Sequence, residues 1–154
     1  MTIKEKMVVT TRLEADCPSH ARADITVRDV STTIDEPLER GGSNMGPSPT
    51  ETAMAALIGC TNVIAHKVAD KLGIDIGHMK ISSACEFDRR GVALSDEIDL
   101  PFRRIHLRIE VDGDVTESDL KRVSEGLGRY CAVSKLFRMA GTEIEEEWVV
   151  KGSN

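Results

Sequence analysis

The stretch ETAMAALIGCTNVIAHKVADKLGI, residues 51–74, constrains the fold more than any other part of the chain. It is apolar almost all the way round in its first half and reads as one long helix. Ser48 stands at the N-cap position and Pro49 suits the first helical position. Glu51, three residues after Ser48, completes a capping box. Gly73 is a good stop after Leu72. Such a helix, about 22 residues, is roughly 33 Å long. A helix that is apolar on all sides has to be buried on all sides. One curved sheet in a chain of 154 residues covers it poorly. A second copy can supply the missing cover, so an intimate homodimer is expected.

Strands flank this helix. EKMVVTTRLEA alternates and is β-branched, DCPSH is a turn, and ARADITVRDVSTTID carries one or two more strands. The segment EPLERGGSNMGPSP, rich in Gly and Pro, is a loop leading into the helix. HMKISSACEFDRR and FRRIHLRIEVDG alternate as strands, joined by an exposed acidic segment, GVALSDEIDLP. TESDLKRVSEGLGRYC opens on a second cap, at Thr116, and has apolar residues at helical spacing. CAVSKLFRMA is a short further helix, and TEIEEEWVV a last strand with Ile144, Glu146, Trp148 and Val150 on one face. The order predicts a single α+β domain over residues 1–154, one antiparallel sheet wrapped on a long central apolar helix.

Composition narrows the function. The net charge of −6 argues against nucleic acid as a partner, which usually meets a basic face. No run reads as long and apolar enough to span a bilayer, and the N-terminus has no export signal. The cytoplasm is therefore the expected compartment. Aromatics make up 3% of the chain, so the core is aliphatic, with Met45, Met54 and Met139 read as core or rim packing. The four cysteines, Cys17, Cys60, Cys85 and Cys131, form no C-x-x-C pair and show no Cys-His metal spacing. In a reducing compartment they are thiols at rest. Cys60 alone reads as a small buried apolar residue. Cys131, at a helix start, would lie near unpaired N–H groups and the positive dipole end, an arrangement that lowers a thiol's pKa. Cys17 lies on a turn and Cys85 on a strand, both incidental. His66 is expected to be a partly buried polar residue, and the four histidines form no ligand set.

Together, GPSPTETAMAALIGCT and the later YCAVSKLF resemble the OsmC/Ohr family, the osmotically inducible and organic-hydroperoxide-resistance proteins. The OsmC-like subgroup is the nearer match. The resemblance covers nearly the whole chain. It implies an intertwined α+β homodimer with its long helices packed back to back. It also implies a thiol-dependent peroxidase acting on organic hydroperoxides, lipid- or fatty-acid-derived ones among them. On that pattern Cys60 attacks the hydroperoxide and becomes a sulfenic acid, and Cys131 resolves it as an intramolecular disulfide. A dithiol, with a lipoyl-type carrier as one option, restores the enzyme without metal or other cofactor. A Glu and an Arg hold the thiolate, which points to Glu51 and to Arg22, with Arg40 the competitor.

Three positions depart from the family pattern. Ala132 stands where a proline usually follows the second cysteine. Glu51 is one position nearer Cys60 than in Ohr-type proteins. The Arg has two candidates. Nine helical positions rotate by roughly 900°, which puts Glu51 and Cys60 on opposite faces. Capping explains Glu51 without any chemistry, and contact with Cys60 would need a loop excursion, a bulge, or Glu51 of the other subunit. Two other functions fit the same residues: a non-enzymatic redox sensor using both cysteines, and a binding protein or hydrolase for small apolar ligands with Cys60 in the pocket.

Overall fold

A computed structural model describes residues 7–152. The chain divides into two compact units, Met1–Ala53 and Met54–Asn154.

In the first unit, strands β1 (Glu14–Asp16), β2 (Ala23–Val27) and β3 (Val30–Ile34) form an antiparallel sheet in chain order. The β2–β3 hairpin turns in two residues and places Arg28 at φ 54, a left-handed conformation such tight turns demand. The first strand is shorter than expected. Residues 7–13 are not extended into a ladder, and residues 5 and 6 lie outside the described part. Alternation alone gives a strand no partner. Here Met7, Val8, Val9 and Leu13 are all exposed, and only Glu14–Asp16 pair with Asp24–Thr26.

Asp35, fully buried, organises the loop after β3. One carboxylate oxygen accepts from the Ser43 hydroxyl (2.6 Å), the Ser43 N–H (3.1 Å) and the Met45 N–H (3.0 Å). These donors, the Ser43 hydroxyl foremost, hold its carboxyl below the usual range. The Asp35 N–H donates to Pro47 O at 3.0 Å, which closes the loop just before helix α1 (Pro49–Leu72). The cap of α1 forms as the sequence predicts. The Ser48 N–H donates to Glu51 Oε2 at 2.8 Å, and the Glu51 N–H to Ser48 Oγ at 3.4 Å. Gly73 terminates the helix at φ 69.

The second unit holds β4 (Met79–Phe87), β5 (Phe102–Val111), α2 (Glu117–Tyr130), α3 (Ala132–Ala140) and β6 (Glu143–Val150). β4 and β5 are antiparallel, but β5 and β6 run parallel. The expected single antiparallel sheet is thus two three-stranded sheets, one of them mixed. The α2–α3 pair between β5 and β6 is the reason. Parallel neighbours need a long crossover, and two helices supply it.

The core follows from periodicity. Ile105, Leu107, Ile109 and Val111 bury one face of β5, while Leu120, Val123 and Leu127 bury one stripe of α2. Leu57, Ala65, Val68 and Ala69 do the same for α1. Phe87, Phe102 and Phe137 stack edge to face at centroid distances of 5.0 and 5.2 Å. Gly126 lets α2 approach α1. A Cβ there would lie 2.4 Å from Val68 Cγ1. The capping box of α2 is complete, with Asp119 N–H donating to Thr116 Oγ1 (3.1 Å) and Thr116 N–H to Asp119 Oδ2 (3.0 Å). Thr116→Ala is expected to cost about 1 kcal/mol, read as a lowered chemical-denaturation midpoint.

Two expectations are corrected. At 24 residues, α1 is by length and composition alone long and apolar enough to cross a membrane. Met45 and Met139 are exposed rather than packed, because each stands on the open side of its loop or helix.

Candidate functional site: the Cys60–Cys131 pair

Cys60 lies midway along α1 and is half-buried, one residue before the buried Thr61. Cys131 is the only residue between α2 and α3, and it ends one helix while capping the next. Its N–H donates to Leu127 O at 2.9 Å, closing α2. Its Sγ accepts from the Ser134 N–H at 3.4 Å, opening α3. Backbone bonds therefore hold this residue on both sides, one through its N–H and one through its sulfur. α3 begins at Ala132, so a proline there is not needed to start it.

This double cap aims the Cys131 thiol at α1. Cys131 Sγ–H donates to Cys60 Sγ at 3.0 Å, across 71 positions of sequence. Both cysteines are free thiols. A disulfide needs the sulfurs at about 2.05 Å, so bond formation asks for a movement of about 1 Å.

The electrostatics of Cys131 differ from the sequence expectation. Burial, and then the contact with Cys60, push its thiol up to about 11, against the smaller opposing effect of the Ser134 N–H. The helix start was expected to lower it. Desolvation of a fully buried sulfur outweighs one long N–H contact. At neutral pH Cys131 keeps its proton.

This raised value sets a pH dependence for stability. The folded thiol binds its proton more tightly than the unfolded one, whose ordinary value is 9.0. Above pH 9 the unfolded chain holds fewer protons than the folded one, so stability falls as pH rises toward 11. The loss of stability between pH 8.5 and 10.5 is expected to be smaller in Cys131→Ala than in the parent, measured by urea unfolding at each pH.

The other candidates are tied locally in the first unit. Arg22 Nε donates to Asp24 Oδ1 at 2.9 Å, and Arg40 Nε to Glu36 Oε2 at 2.6 Å. Glu51 is exposed and held below the usual carboxylate range, chiefly by the Ser48 backbone and hydroxyl, with Arg40 adding a small attraction. Its contacts are those of a cap.

The remaining candidates have surroundings of their own. His66 is exposed, not partly buried, with its ring between Asn62 O (2.9 Å) and Gly77 O (3.2 Å). Cys17 is exposed. Cys85 lies half-buried in β4, where burial raises its thiol. No cluster of three or more metal-ligating side chains occurs among the described residues.

Sequence reasoning missed Ser134 and Arg138. Ser134, buried, supplies the N–H that meets Cys131 Sγ. Arg138 Nε donates to Ser134 Oγ at 3.2 Å. The signal was available, since position i+3 after an N-cap is where the capped N–H stands.

The sequence model described as "OsmC-like protein" matches residues 41–147, more than half of the chain. The chain belongs to the OsmC-like protein family. The OsmC-like fold also appears in solved structures. The OsmC-like protein from Mycoplasma pneumoniae superposes with a TM-score of 0.77 at 16% identity, covering 94% of this chain and 99% of its own. An organic hydroperoxide resistance protein OsmC from Legionella pneumophila gives 0.66 at 17% identity, covering 94% and 98%. The organic hydroperoxide resistance protein OhrB of Bacillus subtilis gives 0.60 at 19% identity, covering 93% and 98%. No curated protein matches the sequence.

Proposed function

We propose that this OsmC-like protein is a thiol-dependent peroxidase that reduces organic hydroperoxides. The observation that carries the reading is the 3.0 Å approach of the Cys60 and Cys131 sulfurs. The names of the Legionella and Bacillus relatives point the same way. Burial divides the roles. Cys131 is fully buried, so the half-buried Cys60 is the sulfur that meets a peroxide.

The Cys60 thiolate attacks one peroxide oxygen and the O–O bond breaks. The alkoxide leaves and takes a proton as an alcohol, and Cys60 becomes a sulfenic acid. Cys131 then gives up its proton and attacks the Cys60 sulfur. The S–S bond forms, and hydroxide leaves with that proton as water. A dithiol reductant opens the disulfide by exchange and departs as its own disulfide. No metal or organic cofactor enters the cycle.

Glu51 and Arg22 carry the supporting role by family resemblance, with Arg40 as substitute. Helix geometry turns Glu51 away from Cys60 along α1, so its support would come from a second subunit. Glu51→Gln tests this. If Glu51 is a cap alone, Gln fills the same place in the box and turnover stays within a few-fold of the parent. A loss comparable to Cys60→Ser would assign Glu51 to the chemistry.

A homodimer is part of the proposal. Only 22% of the apolar window of α1 is buried within the chain, and Val63 is 49% exposed. Light scattering on the eluting protein is expected to give twice the monomer mass. A cytoplasmic location also belongs here, since the resting dithiol needs a reducing compartment.

The test is one equivalent of cumene hydroperoxide on the reduced protein, followed by mass analysis. A loss of two hydrogens, with Cys60 and Cys131 in one cross-linked peptide, is the expected result. Repeated turnover with a dithiol separates an enzyme from a one-shot sensor. Cysteines that stay uncrosslinked overturn the proposal.

A further inference from the structure

We infer that a cleft between the last turns of α1 and one face of α2 binds a small amphiphilic organic anion. The cleft encloses about 300 Å³, at the small end of ligand-binding cavities. Its charged lining is Lys71, Arg122 and Arg129 against a lone Glu125. In a chain of net charge −6, this concavity is locally cationic.

The cations are short of partners. Arg22, Arg40, Arg90, Arg104 and Arg108 each hold a carboxylate within 3.1 Å. Arg122 reaches Asp119 only at 3.9 Å. Lys71 and Arg129 make no ion pair among the described residues. Each stands in the last turn of its helix, where a cation answers the macrodipole. That accounts for one charge per helix end. It does not account for Arg122, seven positions before Arg129 and on the same face of α2.

Val68, Leu72 and Gly126 add apolar surface, and Tyr130, 59% exposed, stands beside them. The tight Gly126–Val68 approach fixes how the two helices meet. The arrangement suits a phosphate or carboxylate head on the three cations and a short apolar tail against Leu72 and the Tyr130 ring. This site is independent of the peroxidase reading, because nothing in it involves the thiols.

Calorimetric titration of the reduced full-length protein with hexyl phosphate tests the inference, with inorganic phosphate and hexanol as separate arms. Saturable binding of hexyl phosphate is expected, with weaker binding of phosphate and none of hexanol. K71Q/R129Q is expected to weaken hexyl phosphate by about tenfold, and E125Q to tighten it by about threefold. E125Q keeps the test alive if the double variant folds poorly. The inference is overturned if hexyl phosphate does not bind, if phosphate binds as tightly, if hexanol binds as well, or if neither variant shifts the affinity.

Discussion

Cys60→Ser is expected to lose hydroperoxide turnover by roughly a thousandfold or more, the scale on which removing a nucleophile acts. A serine hydroxyl is not ionised at neutral pH and does not form a stable sulfenic-type adduct. The buried Cys131 cannot substitute, because it is closed to solvent and its thiol is pushed up to about 11. Cys131→Ser should behave differently. The first half-reaction still runs, so one equivalent of peroxide adds one oxygen to Cys60. With no thiol 3.0 Å away, that sulfenic acid persists, and excess peroxide drives it to the sulfinic acid. Stopped-flow release of one alcohol per chain, followed by a stall, is the signature. A Cys60→Ser protein that still turns over removes the peroxidatic role. A Cys131→Ser protein that cycles at the parent rate with a dithiol gives resolution to the reductant instead.

The extent to which these features were legible in the sequence follows from their range. The ends of α1 were legible because local rules decide them, the Ser48–Glu51 box and Gly73. Thr116 and Asp119 were legible for the same reason. Strand β1 was misplaced because alternation says nothing about a partner, and Met7–Leu13 find none. The direction of β6 was within reach, since two helices before it already implied a crossover. The meeting of Cys60 with Cys131 spans 71 positions, and no periodicity carries that far. The family pattern brought them together on paper, and the double cap at Cys131 supplies the physical means. The thiol's shift was misjudged because a sequence shows the helix start but not the burial that outweighs it.

Leu57→Ala is expected to cost about 2–5 kcal/mol, a fall of roughly 5–15 °C in the unfolding midpoint for a chain of this size. Leu57 is fully buried, and with Thr61, Ala65, Val68 and Ala69 it forms the one stripe of α1 that the chain covers itself. Truncation leaves a cavity between packed elements, so the penalty should not depend on protein concentration. Val63 makes the contrast. It is the same helix and a similar residue, but 49% exposed in the single chain. In a monomer, Val63→Asp would cost little, because surface substitutions lie within about 0.5 kcal/mol. In the proposed homodimer, the same change buries a carboxylate in an apolar interface. The midpoint should then fall, the parent's midpoint should rise with concentration, and the variant should elute at half the parent mass. A Val63→Asp protein that keeps both its mass and its midpoint would mean that the open face of α1 is not where two chains meet.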